Sequence, residues 1–210
     1  MQTGHTFWFS GLSGAGKTTL SKSLAEEFLR EGKNVVVLDG DELRNTISKD
    51  LGFTEEDRTE QNRRAANIAR ILNEQGIHVM AALISPTHEI QTMIKHVIGI
   101  NRCFLIHVDC SIEGCKQRDV KQLYSNNHKQ NEGNFTGIHQ PYEDPINPWV
   151  KINTEHLTFE QCKIELLEAI AEATTGTALN TGRPVRAFVS SSDLQNDTNA
   201  RRIKDRNSNI

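Results

Sequence analysis

The sequence predicts a three-layer α/β sandwich, with helices covering both faces of a parallel sheet of about five strands. Three observations carry this prediction. Strand-like and helix-like stretches alternate through roughly the first 170 residues. The first strand runs into a glycine loop, GLSGAGKTTL (Gly11 to Leu20), and the second ends in an acidic tip, VLDGD (Val37 to Asp41). Motifs that directly follow strands place a site at the carboxyl ends of the sheet, here of the strands beginning near His5, Asn34 and His78.

Each element has its own signal. HTFWFS (His5 to Ser10) is a short aromatic run that reads as a strand. Beyond the glycine loop, Leu20, Leu24 and Phe28 recur at helical spacing until Gly32 stops the helix. NVVVLDGD is a buried parallel strand ending in two acids. Arg63 to Gln75 is helical, with Ala66, Ile68, Ala69, Ile71 and Leu72 apolar, and HVMAALIS (His78 to Ser85) and CFLIHVDC (Cys103 to Cys110) are two more strands. Asp119 to Pro148 is polar, holds glycine, asparagine and proline, and lacks periodicity, which predicts a mobile lid or substrate loop. A closing helix is predicted over Thr158 to Ala173. One domain, 1–173, is therefore expected, followed by a tail, 174–210, rich in Ser, Asn, Thr, Asp and Arg and too poor in apolar groups to offset its ordering entropy. Within it RPVRAFV (Arg183 to Val189) is the one stretch with strand character.

With 210 residues, 36% of them apolar, the chain is long enough to bury one good core. Its net charge of −3 supplies no global basic field for nucleic-acid phosphates or anionic lipid, so neither is an expected partner. Cys103, Cys110, Cys115 and Cys162 lack paired C-x-x-C spacing, and no signal peptide or apolar span is evident; reduced thiols in a cytoplasmic protein are expected. The eight histidines show no H-x₃-H or H-E-x-x-H pattern, so no protein-bound transition metal is expected.

The glycine loop satisfies G-x-x-x-x-G-K-[ST] in full, between a strand and a helix. In such a P-loop, Gly11, Ser13, Gly14, Ala15 and Gly16 turn backbone N–H groups toward phosphate oxygens, and the helix adds its positive dipole end. Lys17 neutralises phosphate charge, Thr18 ligates Mg²⁺, and Thr19 extends the first helical turn toward the nucleotide. A glycine-rich turn without a ligand is the plainer alternative; strand, spacing and the Lys-Thr pair favour ATP. The chain lacks the paired N-K-x-D and D-x-x-G elements of a switch GTPase. Asp39 and Asp41 instead suit water-mediated Mg²⁺ binding, and Asp41 suits accepting the proton of an acceptor hydroxyl. An acidic turn that merely caps the next helix is the competing reading. A P-loop NTPase fold carrying a small-molecule kinase is the class that fits.

The order of motifs then resembles one family. VLDGDELR, DLGF (Asp50 to Phe53), Asp57-Arg58, Arg63-Arg64, ISP (Ile84 to Pro86), RDVKQLY (Arg118 to Tyr124), and FTGI followed by PYEDP (Phe135 to Pro145) occur as in adenylylsulfate (APS) kinases, over about residues 4 to 155. The resemblance implies phosphorylation of the ribose 3′-hydroxyl of APS by MgATP in sulfate assimilation. By position it gives Arg44 and Arg58 to the anionic part of the acceptor, and Phe53 and Phe135 to a sandwich around its adenine, with Ile138 beside the second. Gln61, Ile84, Ser85 and Leu123 fall at further acceptor positions, Arg118 near the donor adenine, and Lys121 at the lid lysine approaching the transferred phosphoryl. A homodimer and association with ATP sulfurylase are implied by the resemblance alone.

Departures cluster on the acceptor side. The family's Asn-Ile is Gln61-Asn62 here, its Tyr-Arg after ISP is Thr87-His88, a glycine is Gln122, a basic stretch is Ser125-Asn126-Asn127, and the acid after FTGI is His139. Asn at position 61 would restore the family residue, which predicts APS use unaltered or improved in that variant. The alternatives are a kinase for another nucleotide-linked anion, such as cytidine diphosphoramidate in capsule modification, and a non-catalytic ATP-binding module. Lys17, Thr18, Asp41 and Lys121 argue against the latter.

Overall fold

In the computed structural model, residues 3–118, 136–138 and 140–175 are described. Five strands, β1 (Thr6–Ser10), β2 (Val35–Asp39), β3 (His78–Ala82), β4 (Cys103–Asp109) and β5 (Val150–Asn153), form one sheet in the order β2-β3-β1-β4-β5, every pair parallel. Parallel neighbours cannot be joined by a tight turn, so helices make the crossovers. Helices α1 (Lys17–Arg30), α2 (Gly40–Asn45), α3 (Glu55–Glu74), α4 (His88–Ile98) and α5 (Ile112–Arg118) lie between strands, and the closing α6 (Phe159–Thr175) follows the last one.

Strand alternation sorts the core into two layers. Phe7 and Phe9 of β1 point to one face, where they meet Leu24 and Phe28 of α1 and Leu166 of α6. Trp8, between them, points to the other and is fully buried with Ala65 and Ala69 of α3 and Ile90 and Ile94 of α4. Every residue of β1 and β3 is buried, as continuous apolar runs covered on both faces require.

Four features refine the sequence reading. Helix α3 begins at Glu55, ahead of the expected Arg63, because Thr54 and Asp57 form a capping box: the Thr54 hydroxyl accepts from the Asp57 N–H at 3.2 Å, and the Asp57 carboxylate accepts from the Thr54 N–H at 3.3 Å. Helix α4, not anticipated, starts at a Thr87 N-cap and buries Ile90, Ile94 and Ile98, four apart. Strand β3 lies between β1 and β2, so the acidic tip reaches the P-loop across the end of β3 rather than from an adjacent strand. Asp41 sits in the first turn of α2, beyond the strand. Most of the expected lid, 119–135, the tail 176–210 and its RPVRAFV stretch lie outside the described residues; 140–149, in the C-terminal part of the expected loop, runs without helix or strand.

Candidate active site

The P-loop wraps the end of β1. Gly16 is the N-cap of α1 with φ of 100°, a left-handed conformation that suits glycine, and no side chain caps the helix, so its first turn presents N–H groups to a ligand. At Gly11 a Cβ would come within 2.4 Å of the Val108 carbonyl oxygen, so the loop approaches β4 closely there. Lys17 is buried, and its ammonium donates to the Leu12 carbonyl at 2.7 Å. Ala15 is buried beneath the loop, its carbonyl accepting from the Thr154 hydroxyl at 2.8 Å.

Asp39 does two things at once. One carboxylate oxygen accepts from the Thr18 hydroxyl at 2.7 Å, and the other caps α2, accepting from the N–H groups of Asp41 at 2.9 Å and Glu42 at 3.4 Å. Capping therefore fixes the carboxylate that faces Thr18.

A cleft of about 320 Å³ opens between these groups. Ser13, Gly14, Gly16, Lys17, Thr18 and Thr19 form one wall, Asp39, Gly40 and Asp41 the rim, and Ala82, Leu83 and Ile84 the floor at the end of β3. Arg44, Phe53, Arg58 and Gln61 make the opposite wall. The Arg44 guanidinium lies 4.4 Å from the Phe53 ring centroid and that of Arg58 5.7 Å from it. Burial lowers the pKa of both arginines, that of Arg58 to about 10, with the Arg44 charge as a further cause for Arg58. Two like charges beside one ring, Arg58 buried and Arg44 half-buried near Asp57 and Asp41, suit an anionic ligand. Arg58 Nε donates to the Phe53 carbonyl at 3.2 Å and to the Gln140 side-chain oxygen at 3.1 Å, and the Gln61 amide donates to the Gly40 carbonyl at 2.7 Å.

The remaining expected site residues fall in several places. Ser85, expected at the acceptor, is fully buried and is not among the residues lining the cleft. Its hydroxyl accepts from Trp8 Nε1 and donates to Asn62 Oδ1, both at 2.9 Å, and Asn62 donates to the carbonyls of Arg58 and Ile84. This buried chain ties β1, α3 and the segment after β3 together beneath Arg58 and Ile84. Arg118 also lies off the cleft lining, at the end of α5, donating to the Thr154 hydroxyl at 3.2 Å; Thr154 in turn touches the P-loop at Ala15. Ile138 is exposed, next to Gly137, which packs on Leu12 of the P-loop. Lys121, Leu123, Phe135 and His139 lie outside the described residues. Leu83 reaches the cleft beside its neighbour Ile84, whereas Gln140 carries no motif in the sequence and chain folding brings it to Arg58.

Among the described residues, His107, Asp109 and Asp144 could together hold a metal ion. The Lys151 ammonium already lies 3.1 Å from Asp109 Oδ2, and the Asn153 amide donates to the same oxygen at 3.2 Å. No helix among the described residues is long and apolar enough to cross a membrane.

Comparisons with known proteins bear on this geometry. The family profile described as adenylylsulphate kinase matches residues 3–153. The probable adenylyl-sulfate kinase of Halalkalibacterium halodurans is 41% identical over 165 residues, 79% of each chain. The adenylyl-sulfate kinase of Staphylococcus epidermidis is 39% identical over 165 residues, 79% of this chain and 83% of that one. Among solved structures, the Mycobacterium tuberculosis APS kinase CysC in complex with AMPPNP and APS superposes with a TM-score of 0.73 at 34% identity, covering 81% of this chain and 99% of the other.

Proposed function

The chain belongs to the adenylylsulphate kinase family and is a P-loop kinase, and from that premise we propose that it transfers the γ-phosphoryl group of ATP to the 3′-hydroxyl of APS, giving 3′-phosphoadenylylsulfate. One observation carries the proposal: a P-loop with Lys17 and Thr18 shares a single cleft with two arginines, Arg58 buried and Arg44 half-buried, that both lie against one aromatic ring. The first half suits a nucleoside triphosphate and the second a nucleotide bearing an anion.

Each residue then has a role. The P-loop N–H groups and Lys17 hold the β and γ phosphates. Arg44 and Arg58 take the phosphosulfate of the acceptor, and Phe53 takes its base. The 3′-oxygen bonds to the γ-phosphorus as the bond from that phosphorus to the β–γ bridging oxygen breaks, ADP leaves, and the hydroxyl proton passes to the Asp41 carboxylate. The donor set formed by Thr18 Oγ1 and the Asp39 carboxylate, hard oxygens 2.7 Å apart on the cleft, fits Mg²⁺, which binds few protein oxygens and keeps its waters. When bound there, Mg²⁺ would neutralise phosphate charge. Arg118 near the donor base and Lys121 at the transferred phosphoryl complete the reading. It extends to a cytoplasmic enzyme, a homodimer, and association with ATP sulfurylase, testable by light scattering and co-purification.

The test is ADP release by the purified protein with MgATP and either APS or a CDP-linked acid. Turnover with APS and production of the 3′-phosphorylated nucleotide supports the proposal. Turnover with the CDP-linked acid alone transfers the chemistry to another acceptor, and the departures at Gln61, Asn62, Thr87, His88 and His139 then become the residues to exchange. ATP binding without turnover on either would leave a non-catalytic module.

A further inference from the structure

We propose that Gln140 is a positioning residue for the acceptor: its side-chain oxygen fixes the guanidinium of Arg58, and so couples the docking of one strap of chain to acceptor affinity. The strap, 136–144 with 139 outside the described residues, crosses the carboxyl edge of the sheet. Gly137 donates its N–H to the Gln140 carbonyl at 2.7 Å and rests against Leu12 of the P-loop, where a Cβ would fall 2.8 Å from Leu12 Cδ2. On the other side the Tyr142 hydroxyl meets the Ser10 hydroxyl at 2.9 Å, and the Glu143 N–H donates to the Pro86 carbonyl at 2.8 Å. Gln140 is thus held from both sides, and its side chain meets Arg58 Nε at 3.1 Å, 82 positions away in sequence.

The chemical nature of the partner matters. Nε is shared between two neutral oxygens, those of Gln140 and the Phe53 backbone. Neutral acceptors set the plane of the guanidinium without themselves cancelling its charge. A carboxylate at position 140 would hold Arg58 more strongly and compete with the substrate for its charge.

This inference rests on the proposed function, and the experiment separates the two. APS is the first probe; if it is inert and the CDP-linked acid turns over, that acid becomes the probe, because Arg58 would face its anionic group equally. Gln140→Ala should raise KM for the acceptor about 10-fold, with KM for ATP and kcat nearly unchanged. Gln140→Glu should match or exceed the wild-type melting temperature while also raising acceptor KM about 10-fold, as expected for a charge-assisted contact. In an Arg58→Ala background, Gln140→Ala should add less than about 2-fold, the non-additivity of residues acting through one another. An unchanged acceptor KM in Gln140→Ala, a full effect persisting without Arg58, or a Gln140→Glu variant whose KM loss follows a loss of melting temperature would each overturn the inference.

Discussion

Arg58 is where burial and charge are most opposed in the described site. It is 6% exposed, its pKa is lowered to about 10 chiefly by burial, and it keeps its charge at neutral pH. Arg58→Ala should therefore lower kcat/KM for APS by on the order of 10²-fold, about 2–3 kcal/mol for a charge-assisted contact to a desolvated anion, while ATP affinity barely changes. Calorimetric titration with each nucleotide separates the two; an equal loss for ATP would mean that the arginine serves the fold or the whole cleft. Gln61 gives a different lesson. By family position, Asn there should serve APS at least as well, yet the Gln61 amide reaches the Gly40 carbonyl at 2.7 Å and secures the turn that carries Asp41. An Asn, one methylene shorter, leaves that contact, so Gln61→Asn should instead lower kcat several-fold, a loss worth roughly 1 kcal/mol. Single-turnover rates would decide between the two expectations.

At the level of elements, the first four strands and the P-loop were legible because their signals are local: a continuous apolar run, a glycine spacing, a Lys-Thr pair; the four-residue β5 carries no such signal. The start of α3 was not legible either. Its first turn is EEDR, without an apolar residue, and it is specified by the Thr54–Asp57 capping box and by the burial of Arg58 and Gln61, polar residues that sequence periodicity counts as exposed. Pairing between elements also creates a pH dependence that neither strand shows alone. Where β1 and β3 begin, His78 is stacked on His5 with ring centroids 5.6 Å apart, meets Phe28 edge-on at 5.1 Å, and accepts the His5 N–H on Nδ1 at 3.2 Å. Burial, then the neighbouring His5 and Lys33 charges, push its pKa down to about 4 from an ordinary 6.5. The unfolded chain takes up that proton first, so the stabilisation is complete above about pH 6.5 and is lost as pH falls toward 4. Melting temperature should drop across that window. In His78→Gln the slope should be shallower without vanishing, because burial shifts His5 and His107 in the same direction. An unaltered slope would place the effect on other groups.

At the scale of the whole molecule, the sheet order decides what the sequence could reveal of the site. The P-loop, the acidic tip and the floor after β3 each follow their own strand, so their motifs could be recognised one by one. Their assembly into one cleft depends on β3 inserting between β2 and β1, and the Gln140–Arg58 contact depends on the return of the chain from β4. Neither leaves a local trace, and the motif around Ser85 likewise does not reveal that its hydroxyl accepts from the buried Trp8 indole. The same architecture bears on the C-terminal tail. Helix α6 already covers the outer layer, with Cys162, Leu166, Ala169 and Ala173 buried against it, and the family match ends at residue 153. Helix α6 thus packs on the core formed by the described residues, and 176–210 offers few large apolar groups to add to it. Deleting 176–210 is expected to shift the melting temperature by less than about 2 °C, at most about 1 kcal/mol for a chain of this size, and to leave kcat/KM for both nucleotides unchanged. A fall of several degrees would show that the tail docks on the domain, with RPVRAFV the first stretch to examine. A change in oligomeric state at constant melting temperature would instead assign the tail to contacts between copies of the chain.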